Sequence, residues 1–160
     1  MTKLIGAAFI ILPSVLLGAY AWGFFTYRAQ NLEALLDLVT HIETEINGYL
    51  SPLDTIYARF KCNLLERSGF TSCLAEKGGI AAIDEYAAKL CLTDEEKMLL
   101  LQFFESLGSH GAVAEAKHCA YYKTKLSELS SVAKSEARTK KRLCLSLFTL
   151  LGIMLSVILI

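Results

Sequence analysis

The chain has 160 residues, enough for one domain with membrane anchors, and 54% of them are apolar, above the roughly 45–50% usual in soluble domains. Formal net charge is zero, which removes the global basic excess expected of a nucleic-acid-binding protein. Cys62, Cys73, Cys91, Cys119 and Cys144 form an odd set without a CxxC pair, which argues against a disulfide framework and suits a reducing compartment.

Leu4 to Tyr27 carries no charge over twenty-four residues, between Lys3 and Arg28, long enough to span a membrane with some tilt. The triplet Ala19-Tyr20-Ala21 also has the spacing of a signal-peptide cleavage site. The apolar run continues past it through Trp22, Phe24 and Phe25, aromatics that suit an interfacial belt, so a retained span is expected. Beyond Arg28, Leu32, Leu35, Val39, Ile42, Ile46 and Tyr49 recur at steps of three and four, which predicts an amphipathic helix continuing from that span. Gly48 weakens its end. Ser51 is placed to cap the next helix and Pro52 to occupy its first turn, with Leu53, Ile56, Tyr57, Phe60 and Leu64 as the buried stripe.

Gly69 is a terminator before a short segment, Thr71 to Lys77, closed by Gly78-Gly79. Ile80, Ile83, Tyr86, Ala87 and Leu90 suit another short helix. Thr93 with Glu96 is a capping box opening an apolar helix through Leu107, which Gly108 ends. From Ala112 onward Val113, Ala116, Cys119, Tyr122, Leu126, Leu129 and Ala133 keep helical spacing, and Lys134, Arg138, Lys140, Lys141 and Arg142 then form a basic collar. Leu143 to Ile160 is free of charge, and eighteen helical residues cover about 27 Å, close to a hydrocarbon core.

The expected organisation is therefore a span at 4–27, a helical domain at 28–142 and a span at 143–160, all-α since no window alternates with period two. Arg28, Arg138, Lys140, Lys141 and Arg142 flank the middle, which the positive-inside rule places in the cytoplasm. With no aromatics interleaved among its charges, the collar reads as a topology signal and an anionic-lipid contact rather than a nucleic-acid surface. No metal, cofactor or catalytic set is expected. His118 and Cys119 are adjacent and so point to different helical faces, Glu43 and Glu45 cannot converge on one face, and no glycine loop for phosphate is present.

Lys3-Leu4-Ile5-Gly6-Ala7, Ile42-Glu43-Thr44-Glu45-Ile46 with Ser51-Pro52-Leu53, Leu92-Thr93-Asp94-Glu95-Glu96, Leu107-Gly108-Ser109 and Leu145-Ser146-Leu147 occur in an order that resembles the stage III sporulation protein AB family. The resemblance implies a non-enzymatic component of the channel complex between mother cell and forespore, in the mother cell membrane facing the forespore. It also implies a soluble part like the helical cytoplasmic domain of the type II secretion platform protein. The implied partners are a cognate secretion-type ATPase and other stage III sporulation channel proteins, with Glu45, Pro52, Leu53, Leu107 and Gly108 as the matching contact positions. The chain departs from the family pattern at Gly48, where a Tyr is usual, and at Phe104 and Phe148, where Gly is usual. The alternative is a small membrane-bound thiol-dependent enzyme using Cys62 or Cys119 with His118, which requires an accessible thiolate of lowered pKa.

Overall fold

The computed structural model describes residues 2–49, 52–109 and 112–159. They are all-helical: α1 (Thr2–Tyr49), α2 (Leu53–Arg59), α3 (Asn63–Ser68), α4 (Phe70–Lys77), α5 (Gly79–Tyr86), α6 (Asp94–Ser106) and α7 (Ala112–Leu159). Two compact units result. One comprises residues 28–131, and the other comprises 1–27 with 132–160.

The first unit is built on the stripes the spacing predicts. Leu32, Leu35, Leu38 and Ile42 of α1, Ile56 of α2 and Leu126 of α7 are fully buried with Leu65, Phe70, Leu74, Ile83, Leu90 and Phe103. At about 25 cal/mol per Å² of apolar surface removed from water, such side chains dominate the stabilisation of a domain this small. Helix α4 packs against α2, α3 and α5, and α5 packs in turn against α6.

Polar links fix the long helices to this core. Lys123 Nζ meets Glu43 Oε2 at 2.8 Å, joining α7 to α1. Asn31, buried on α1, donates from Nδ2 to the Leu90 carbonyl at 3.0 Å. Arg28 Nη2 lies 2.6 Å from Glu96 Oε1, and the Glu96 side chain is 1% exposed. The other oxygen, Glu96 Oε2, accepts from the Thr93 backbone N–H at 2.8 Å, while Thr93 Oγ1 accepts from the Glu96 N–H. The capping box read from sequence is thus present, and its carboxylate also holds Arg28, which sequence reading assigned to the membrane flank.

Several local expectations shift. Ser51 lies outside the described residues, and Pro52 (φ −58°, ψ 143°) is the N-cap of α2 rather than a first-turn residue, its carbonyl accepting from the N–H groups of Thr55 and Ile56. Helix α2 stops at Arg59 because Phe60 turns extended, so the stripe does not run on through Phe60 to Leu64; both are half-buried and Leu65 takes the core position. Ile80 is exposed, and burial on α5 passes to Ala82 and Ile83. Gly79 opens α5 rather than closing α4. A Cβ there would overlap the Phe104 ring, so the missing side chain is what lets α6 approach the α5 backbone.

In the second unit Lys140 Nζ stands 4.0 Å from the Phe25 ring centre and Lys141 Nζ 4.4 Å from that of Trp22. The collar therefore has aromatic partners after all, supplied by α1 rather than interleaved on its own helix. Ala133 and Ala137 are buried one turn apart on α7. Helical backbone is continuous over residues 4–27 and 143–159, and among the described residues no helix is long and apolar enough to cross a membrane. Most side chains of residues 4–21 and 152–160 lie outside those described.

Replacing Glu96 by Ala is expected to destabilise the protein by roughly 3 kcal/mol, near the low end for removing one partner of a buried ion pair because Arg28 keeps some solvent. Thr93→Ala, which removes only the cap hydroxyl, should cost about 1 kcal/mol. Urea unfolding followed by circular dichroism measures both. Equal costs would mean that Arg28 adds nothing to the cap.

Candidate functional site

Among the described residues, several polar side chains meet where α6 leads toward α7. Gly108 adopts φ +84°, a left-handed conformation that only glycine enters without strain, and its N–H turns toward Glu115. Glu115 Oε1 accepts from that N–H at 2.9 Å, although the residue sits in the first turn of α7 and is only 3% exposed. The carboxylate thus satisfies a backbone donor at the turn and complements the positive end of the α7 dipole. His118 Nδ1 is 4.0 Å from the same oxygen.

Aromatic packing holds the His118 ring, which stacks on Phe103 at 5.8 Å with 11° between planes and meets Tyr122 at 4.7 Å. Its Nε2 is 2.6 Å from Ser106 Oγ. That hydroxyl also lies 2.5 Å from the Gln102 carbonyl, so it links the imidazole to the last turn of α6. Cys119 completes the cluster: the ligand atoms of Glu115, His118 and Cys119 lie within 4.8 Å of one another. Adjacency of His118 and Cys119 does not keep them apart. At 100° per residue, positions three and four beyond Glu115 fall 60° and 40° to either side of it, so one carboxylate reaches both. Glu115 was missed in sequence; the signal was the Glu-x-x-His-Cys spacing.

The Cys119 thiol is pushed up to about 11 by burial first and then by the charges of Glu115 and Glu43. Burial likewise raises Cys91, and burial with Glu85 raises Cys73. These are thiols kept protonated at neutral pH, the reverse of an activated nucleophile.

A second feature lies beside the turn. Glu95, Met98, Leu99 and Gln102 on α6 share one helical face, and Lys125, Glu128 and Leu129 on α7 line the other wall of an open groove of about 460 Å³. Met98 is 60% exposed there, while Lys125 pairs with Glu128 at 3.4 Å on its own helix.

The structure brings together only some of the residues singled out from sequence. Leu53 Cδ1 lies 3.6 Å from where a Gly108 Cβ would be, and Leu107 is buried next to it. Pro52 is exposed at the start of α2. Glu45 does not join them: its side chain is 13% exposed and 3.5 Å from Arg59. Of the flanking set, Arg138 and Arg142 are exposed, Lys140 and Lys141 cover aromatic rings, and Arg28 holds Glu96.

The fold and this turn define an all-helical protein whose polar chemistry is concentrated on helix ends and helix faces. The chain belongs to the Stage III sporulation protein AB family, whose model matches residues 3–160. It is 26% identical over 171 residues to Stage III sporulation protein AB of Bacillus subtilis (strain 168), covering 99% of each chain. No solved structure matches it. Family membership gives the chain a role in sporulation.

The raised thiols make stability fall in alkali. Cys119 titrates near 11 when folded and near its ordinary 9.0 when unfolded, so its contribution is whole below pH 9 and is lost as pH rises to 11. A two-unit shift corresponds to at most about 2.7 kcal/mol. Unfolding free energy measured from pH 8 to 11 should decline over that window, and Cys119→Ala should flatten the decline while lowering stability at pH 8.

Proposed function

We propose that this chain is a non-enzymatic membrane component of the mother cell to forespore channel complex, and that its cytosolic helices dock a secretion-type ATPase. In this reading residues 4–27 and 143–160 are the spans, in the mother cell membrane facing the forespore. Family membership supports the sporulation context. The two charge-free runs support anchoring, and the basic collar supports a cytoplasmic middle domain. Lys140 and Lys141 over Phe25 and Trp22 suit a membrane interface, where aromatic rings and cationic heads meet lipid phosphate. The likeness of the soluble part to the type II secretion platform protein belongs to the same reading.

The observation that carries docking is the groove between α6 and α7. It presents an exposed methionine and two leucines between Glu95 and Glu128, on a unit in which fifteen acidic side chains outnumber ten basic ones. An apolar floor with an acidic rim fits a partner helix bearing apolar anchors and basic flanks. Glu45, already engaged by Arg59, is a poorer contact than the family pattern implies.

Reversing the groove charges with Glu95→Lys and Glu128→Lys together should lower co-purification of the ATPase about tenfold, with the thermal melt unchanged. Full recovery from a folded double mutant would remove the groove as the docking face. Replacing Cys62, Cys73, Cys91, Cys119 and Cys144 together by Ser or Ala, with the packing around the buried Cys73 and Cys119 compensated, should leave sporulation intact. A stable, correctly inserted and inactive cysteine-free protein would instead favour the thiol-dependent enzyme.

A further inference from the structure

Three electron-pair donors of different kinds converge at the start of α7. Glu115 offers a carboxylate oxygen, His118 a ring nitrogen and Cys119 a sulfur, all within 4.8 Å of one another. In a tetrahedral zinc site, bond lengths of about 2.0–2.3 Å put neighbouring ligand atoms roughly 3.5 Å apart. Closing the cluster onto an ion therefore takes a movement of about 1 Å, within the reach of rotamer adjustments on one helical turn.

The surroundings are already arranged as the outer shell of a metal centre. Ser106 Oγ lies 2.6 Å from His118 Nε2, which engages the far ring nitrogen and leaves Nδ1, 4.0 Å from Glu115 Oε1, on the side of the cluster. The Gly108 N–H holds Glu115 Oε1 in place. Phe103 and Tyr122 pack the ring so that it cannot swing away. A hydrogen bond on the far nitrogen of the imidazole and another on the carboxylate are the contacts that orient ligands in zinc proteins.

We propose that Glu115, His118 and Cys119 bind a borderline-soft divalent cation, with zinc the best match to this nitrogen, sulfur and oxygen set. Binding displaces the Cys119 proton to solvent, and the imidazole and the thiolate so formed exclude hard cations such as magnesium and calcium, which take oxygen ligands. Three protein ligands leave a fourth tetrahedral position for water. All three ligands lie on α7, so the bound ion staples the first turns of that helix, to which the Gly108 N–H is already bonded through Glu115.

The test uses the full chain, without an affinity tag, in detergent micelles, with cobalt(II) as a coloured probe and zinc(II) as competitor. One equivalent of cobalt should produce a sulfur-to-cobalt charge-transfer band in the near ultraviolet and tetrahedral ligand-field bands in the visible, and one equivalent of zinc should abolish both. The bands should persist when Cys62, Cys73, Cys91 and Cys144 are all Ser, leaving Cys119 as the sole thiol. They should vanish in Cys119→Ser. Ser106→Ala, which removes only the outer hydrogen bond, should weaken cobalt affinity 10- to 100-fold. Absence of the charge-transfer band from the folded sole-thiol variant overturns the proposal, as does a band that survives Cys119→Ser. Should Cys119→Ser fail to fold, the sole-thiol variant and Ser106→Ala decide the matter alone.

Discussion

Glu96 is the residue on which the 28–131 unit depends. One carboxylate closes the α6 capping box with Thr93 and binds Arg28 of α1, so the start of one helix and the middle of another are fixed by the same two oxygens. A buried carboxylate is costly unless it is paired and hydrogen-bonded, and here the conditions are met by one group three residues away and another 68 residues away. Neighbouring links reinforce it: Asn31 holds the Leu90 carbonyl one turn of α1 beyond Arg28, and Glu43 holds Lys123 further along.

The helices were legible because their signals are local. Glycine at 69 and 108, the Thr93–Glu96 pair and the steps of three and four in α1 and α7 specify ends and faces without reference to the rest of the chain. What misled was tertiary. Arg28 reads as a membrane flank until Glu96 is brought beside it, and Ile80 reads as core until α6 takes the other face of α5. Gly79 reads as a stop, yet its use is to make room for the Phe104 ring across the α5–α6 interface, a relation no single-sequence pattern expresses.

The site shows the same division. Leu107 and Gly108 could be placed from punctuation alone, and Leu53 then joins them through packing. Glu115 was passed over, since nothing local says that it will be buried or that a turn N–H will face it. The collar was likewise read one helix at a time, and its aromatic partners belong to a segment more than a hundred residues earlier.

The contacts that join α1 to the rest bridge long stretches of chain: 68 residues separate Arg28 from Glu96, and 80 separate Glu43 from Lys123. A ribosome making this protein releases α1 first, with Leu32, Leu35, Leu38 and Ile42 bare, and cannot supply Glu96 and Lys123, which tie α1 to α6 and α7, until most of the message is read. Closing such distant contacts is slow compared with forming a helical turn. For that interval the nascent chain holds an uncovered apolar stripe, open to wrong partners until the later helices are made.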